Sequence, residues 1–173
     1  MFRPALFLAL SASLLASAQS PTPQPSPAPA CLAAATLDQL PKALDDAISG
    51  PGDRDRTCLR ELLMPDVRLV LVTRTADGTA TTRTLTLDDW IAAVQRRGST
   101  PLFERQIKTR SESYGSIAHL WSTFEIRATA DGTPTSRGIN SVQAIFDGRQ
   151  WRLIQVLWEA ETPTEPIPER YLP

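Results

Sequence analysis

The apolar and polar positions of this chain change period along its length, and the change marks out its elements. Four runs rich in β-formers, 103–114, 117–129, 137–146 and 150–160, are separated by Tyr114-Gly115, Asp131-Gly132 and Asp147-Gly148. Alternation with period two predicts strands, and glycine-containing pairs between the runs predict short turns. This region therefore reads as a four-strand meander. Upstream, Leu37, Leu40, Leu44, Ala47 and Ile48 recur at helical spacing behind the capping-box pair Thr36 and Gln39, and Gly50-Pro51-Gly52 ends the segment. A short second helix is predicted next, with Asp53 as its cap, Cys58, Leu59, Leu62 and Leu63 facing inward, and Pro65 as its stop. Runs 68–75 and 79–85 flank Ala76-Asp77-Gly78 and predict a hairpin. A third helix, 87–97, capped by Thr86 or Asp88, carries Leu87, Trp90, Ile91 and Val94 on one face and closes at Gly98. Helix, helix, hairpin, helix and meander make an α+β domain whose helices cover one face of one sheet.

Polar residues interrupt the predicted strands. His119, Thr123, Glu125, Asn140, Gln155 and Glu159 lie among apolar neighbours, where a polar group is costly unless it is paired or faces a cavity. Alternation puts His119, Trp121, Thr123 and Glu125 on one face of the second meander strand, against Ala118, Leu120, Ser122 and Phe124 on the other. The first set is expected to wall a pocket. In the third strand Asn140 shares a face with Val142 and Ala144. Just before it, Arg137-Gly138 either holds an anionic group or supplies an ion pair and room at a sheet bend. The last strand sets Trp151, Leu153, Gln155, Leu157 and Glu159 against Arg152, Ile154, Val156 and Trp158. Both of its faces are mainly apolar and need cover, so we expect a homodimer through the open sheet face, with the tail 163–172 contributing Ile167, Tyr171 and Leu172.

The ends bear on location. Met1-Phe2-Arg3, an apolar stretch to Leu15 and Ala16-Ser17-Ala18 have the layout of a secretory signal peptide over residues 1–18. The apolar stretch is short and carries serines, so no membrane span is expected in the mature form. Residues 19–35 open with a Pro/Ser/Ala spacer, 36–161 form the domain, and 162–173 form a C-terminal tail. The chain is expected in the periplasm or secreted. There, Cys31 and Cys58 are expected to pair and to stabilise the fold by about 3 kcal/mol. A formal charge of −1 with interspersed signs gives no electrostatic surface for nucleic acid.

Candidate chemistry is sparse. One histidine and two paired cysteines leave no Cys/His zinc set, and no phosphate loop, nucleophile elbow or dinucleotide fingerprint is present, so no metal or cofactor is expected. The carboxylate pairs Asp45-Asp46, Asp53/Asp55 and Asp88-Asp89 read as caps and solvated charges. Glu125 and His119 are the candidate catalytic groups, since an imidazole near a carboxylate exchanges protons close to neutral pH. The competing reading pairs Glu125 with an arginine such as Arg137.

The element order, and the ending Asp147-Gly148-Arg149-Gln150-Trp151-Arg152-Leu153-Ile154, resemble the nuclear transport factor 2-like superfamily and its SnoaL-like members. Phe103-Glu104-Arg105, Ser122-Thr123-Phe124-Glu125, Arg137-Gly138-Ile139-Asn140-Ser141 and the tail Pro166-Ile167-Pro168-Glu169-Arg170-Tyr171-Leu172 look like an exported bacterial branch of it. The resemblance implies a cone: three N-terminal helices packed on a strongly curved, mainly antiparallel sheet of about six strands. That scaffold serves isomerases, dehydratases, cyclases, carriers and adaptors alike. The isomerase-type aspartate with a facing tyrosine and the histidine-assisted dehydratase set both lack counterparts here. The expectation is thus a small, partly apolar ligand bound by Trp121, Thr123, Glu125, Arg137, Asn140 and Gln155, with no reaction assigned. The alternatives are an acid/base enzyme using Glu125 or His119 and a tethered protein-interaction module.

Overall fold

The computed structural model describes residues 30–75 and 77–173. The expected signal peptide, most of the spacer and Ala76 of the expected hairpin turn lie outside the described residues.

A 3-10 turn, Leu37–Gln39, leads into α1, Leu40–Ile48. The Gln39 side chain accepts from the Thr36 amide at 3.1 Å, as the capping-box spacing predicts. Helix α1 buries Leu40, Ala43, Leu44, Ala47 and Ile48 along one face. Its C-terminus is closed by the buried Arg56, whose guanidinium donates to the carbonyls of Ala47, Ile48 and Ser49. A cation there also complements the negative end of the helix dipole. Gly50–Pro51 then forms a two-residue strand, β1.

Helix α2, Thr57–Leu62, starts at Asp55, whose carboxylate accepts from the Thr57 amide at 2.8 Å. Asp53, the expected cap, instead gives its amide to the carbonyl of Gly98. Strand β2, Leu63–Arg74, begins at once, so Leu63 and Pro65 belong to a strand. Strand β3, Ala80–Leu85, completes the hairpin. Helix α3, Leu87–Gln95, is capped by Thr86, with Asp89 reciprocating. Asp88 is a surface partner of Arg60 at 2.7 Å.

The meander follows as β4, Pro101–Tyr114; β5, Ile117–Arg127; β6, Pro134–Phe146; and β7, Trp151–Ala160. The sheet order is β1-β4-β5-β6-β7-β2-β3. All neighbours pair antiparallel except β2 and β7, which run parallel. The sheet has seven strands where about six were expected, because the glycine-proline stop after α1 pairs with Pro101 and Leu102. Only α1 precedes the sheet; α2 sits between β1 and β2, and α3 between β3 and β4, where three N-terminal helices were expected.

The core fills the space between the helices and one face of the sheet. Leu40, Leu59 and Leu153 are among its fully buried side chains, each contributing about 2 kcal/mol by burial. The packed domain reaches back to Cys31, since Ala34 is fully buried, its carbonyl accepts from the Trp151 amide at 2.8 Å, and Cys31 is bonded to Cys58. Among the described residues no helix is long and apolar enough to cross a membrane.

The opposite face of the sheet carries the tail. Thr123 donates to the carbonyl of Tyr171 at 2.5 Å, Lys108 reaches the carbonyl of Leu172, and the Tyr171 ring lies 5.8 Å from that of Trp121. Within the tail Ile167 is buried, and its amide donates to Glu161 at 3.1 Å.

Candidate functional site

Register decides which polar side chains see the cone. In β5 the inward set is Ala118, Leu120, Ser122 and Phe124, the face that joins the core; His119 and Trp121 stay exposed on the other side. The wall expected from His119, Trp121, Thr123 and Glu125 therefore faces away from the helices. The reason is hydrophobic: Ala118, Leu120 and Phe124 gain more from the covered face than their polar neighbours do.

In β7 a bulge between Leu153 and Gln155 breaks the alternation. Trp151 and Leu153 point inward before it, Val156 and Trp158 after it, while Gln155, Leu157 and Glu159 turn outward. The expected common face of Trp151, Leu153, Gln155, Leu157 and Glu159 is thus split. Gln155 is not part of the cone.

Between α1, α2, α3 and the sheet lies a cavity of about 340 Å³. Leu44, Ile48, Leu59, Leu63, Leu69, Trp90, Val94, Phe124, Val156 and Trp158 give it a mostly apolar lining. Three polar residues, Glu104, Asn140 and Arg97, join them. Asn140 is the one member of the expected ligand set that reaches this space.

Glu104 is brought inward by β4 alternation, on the face it shares with Leu102 and Gln106. Ser49, just past α1, clamps its backbone: the Glu104 amide donates to Ser49 Oγ at 3.0 Å, and that hydroxyl donates to the Glu104 carbonyl at 3.2 Å. Its carboxyl oxygen Oε1 accepts from Gln106 Nε2 at 2.8 Å and Asn140 Nδ2 at 3.2 Å. Asn140 Nδ2 also donates to Gln106 Oε1 at 3.3 Å. The Gln106 amide in turn donates to both oxygens of Asp45, at 3.0 and 3.1 Å. One network thus joins α1, β4 and β6.

Burial pushes the Glu104 carboxyl up to about 7, against the stabilising donors Asn140 and Gln106; the nearby charge of Asp45 raises it further. Burial likewise raises Asp45 to about 6, opposed by its hydrogen bonds to Gln106 and by Lys42 and Arg105. Asp45 was read from the sequence as a solvated helix charge. The structure instead turns it toward β4. Glu104 entered that reading only within the Phe103-Glu104-Arg105 motif; the signal available was its alternation with Leu102 and Gln106.

The other expected residues are occupied elsewhere. Glu125 is buried on the outer face and bonds Arg127 at 2.5 Å, not Arg137. Arg137 pairs with Glu161 at 2.9 Å. Its neighbour Gly138 provides room: a β-carbon there would sit 2.5 Å from Phe124 Cζ and closer still to the carbonyl of Glu159, so the crowding reading holds. Thr123 is fully buried under the tail. His119 is half exposed, 3.8 Å from Glu112 at the surface. Trp121 lines a separate cavity of about 320 Å³ between the tail and the sheet, with Ile139, Leu157, Ile167 and Tyr171.

No family model matches this chain, and no curated protein matches it. Solved structures do. An NTF2-like protein of unknown function from Pseudomonas putida superposes over 76% of this chain and 87% of its own, with TM-score 0.50 and 13% identity. An NTF2-like protein of unknown function from Silicibacter pomeroyi covers 72% of this chain and 92% of its own, at TM-score 0.49 and 18% identity. A cystatin-like-fold protein from Nostoc punctiforme covers 72% and 84%, at TM-score 0.49 and 12% identity. The fold of this chain is the NTF2-like α+β fold with a mainly antiparallel sheet.

Proposed function

We propose that this chain is an exported binding protein that takes up a small, mostly apolar molecule in its cone. The supporting observation is the cavity of about 340 Å³ with an apolar lining and one polar cluster built around Glu104. Its size and make-up suit a ligand site. A core selected for stability alone would fill such a space with aliphatic groups and keep a carboxyl out of it. Export accords with the Cys31–Cys58 bond, which an oxidising compartment sustains.

Ala93 lines the cavity from α3, and Ala93→Phe would fill part of it. Calorimetric titration with a neutral aromatic probe such as benzyl alcohol should show uptake by the natural chain and loss of uptake in the variant. Equal uptake by both would place the probe elsewhere and sink the reading.

A second reading is favoured by the acidity of Glu104, which lies near neutral pH. A carboxyl so poised serves as a general acid or base, and in the cone Glu104 is the group that would move a proton. Bound carbonyl compounds should exchange an adjacent proton with deuterated water in the natural chain and not in Glu104→Gln. Exchange that persists in the variant would remove Glu104 from such chemistry. His119 and Glu125 have no access to the cone and take no part.

A further inference from the structure

The charges around the cavity are unbalanced. Arg97, in the turn after α3, lines it and is partly buried. Its guanidinium makes one long bond, 3.4 Å from Nε to the carbonyl of Val94, and among the described residues it has no carboxylate partner within 4.0 Å. Burial lowers its pKa, and its charge contributes, after burial and Arg54, to lowering that of Arg56. Arg56 in turn is committed to the main chain, donating to the carbonyls of Ile48 at 2.9 Å and Pro51 at 2.8 Å, and it too has no carboxylate partner. One guanidinium, that of Arg97, therefore stands at the wall of an apolar cavity without a countercharge, with the buried cation of Arg56 behind it. An unpaired charge in such surroundings is costly, and a ligand anion would relieve it.

The polar cluster at Glu104 is separate from this flank. Thr100, whose amide bonds the Arg97 carbonyl at 3.1 Å, lies four residues before Glu104 on an extended chain, about 13 Å at strand rise. The intervening cavity wall is apolar. The cluster also has specific openings. Asn140 spends its amide donors on Glu104 and Gln106, while its Oδ1 and the Glu104 Oε2 have no donor among the described residues. These two oxygens open toward the cavity, where a ligand hydroxyl can supply a donor.

We propose that the ligand of the cone is a small hydroxy acid with an apolar body, its carboxylate held by Arg97 and its distal hydroxyl donating to Glu104 Oε2, beside Asn140. This deepens the reading of the cone as a binding site and rests on it.

Three probes test the assignment: para-hydroxyphenylpropionate, its amide, and phenylpropionate, each titrated calorimetrically into the full chain at neutral pH. The acid should bind about tenfold more tightly than the amide, as expected for a charge-assisted bond, and more tightly than phenylpropionate. In Arg97→Gln the preference for the acid over the amide should disappear. Acid and amide binding equally to the natural chain would overturn the carboxylate assignment and leave the cone reading standing. Binding of the acid that survives Ala93→Phe would place it outside the cone and overturn the assignment as well. If none of the three probes binds while benzyl alcohol does, the hydroxy-acid class is wrong; if benzyl alcohol also fails, the cone reading falls with it. The comparison among probes on the natural chain stands even if Arg97→Gln folds poorly.

Discussion

Glu104 ties stability to pH with a sign opposite to that of ordinary surface carboxylates. Its folded pKa, about 7, lies above the 4.5 of an unperturbed glutamate, so between these values the folded chain holds more protons than the unfolded one. Stability from this group is complete below about pH 4.5 and falls as pH rises toward 7, by an amount on the order of 3 kcal/mol. Asp45, raised from 3.8 to about 6, adds a fall of the same sign at lower pH. Urea midpoints should therefore drop between about pH 5 and pH 8, and Glu104→Gln should flatten the drop and raise the midpoint at the higher pH. A profile in the variant as steep as the natural one would assign the effect elsewhere. Gly138 carries a second expectation. Alanine there must push apart Phe124 and the Glu159 backbone, which the β6–β7 ladder holds in place, so Gly138→Ala should cost about 2 kcal/mol in a denaturant titration. The need for a glycine was visible in the sequence; that Phe124 creates it was not, because the facing of Phe124 depends on which side of β5 the helices cover.

At the scale of elements, the strands of the meander were legible within a few residues, and their faces were not. Period-two alternation survives only where the ladder is regular. Bulges between Gln106 and Lys108 in β4 and between Leu153 and Gln155 in β7 each reverse the facing of everything beyond them. Gln155 left the cone for that reason. The facing of β5 differs for another reason: polarity alone suggests His119, Trp121, Thr123 and Glu125 as the cavity wall, whereas Leu120 and Phe124 mark the covered face by their burial. Asn140 was placed with Val142 and Ala144 correctly because no bulge interrupts β6 between Gly138 and Gln143. The tail is an element of the same kind. It was read as a possible cover, and its grip centres on Tyr171, which meets Trp121, Arg110 at 5.7 Å and Arg170 at 4.6 Å. Tyr171→Ala should cost about 1 to 2 kcal/mol and shift Trp121 emission to longer wavelength as water reaches the ring. Unchanged emission would mean that the tail stays seated through Ile167 alone.

At the scale of the molecule, three attachments converge on the N-terminal segment: Cys31 on Cys58, Ala34 on Trp151, and Thr36 on Gln39. The disulfide joins this segment to α2, and Leu59, the next residue of that helix, lines the cone. Closing a loop of sequence separation 27 removes chain entropy from the unfolded state worth about 3.5 kcal/mol. The same closure anchors the helix that roofs the cavity, so its loss should be felt in binding as well as in folding. Cys31→Ser with Cys58→Ser should lower the melting temperature by roughly 10 °C. It should also weaken uptake of benzyl alcohol at temperatures where the variant is still folded. A lowered melting temperature with unaltered uptake would show that the sheet and α3 hold the cavity open by themselves, and that the bond acts on the unfolded chain alone.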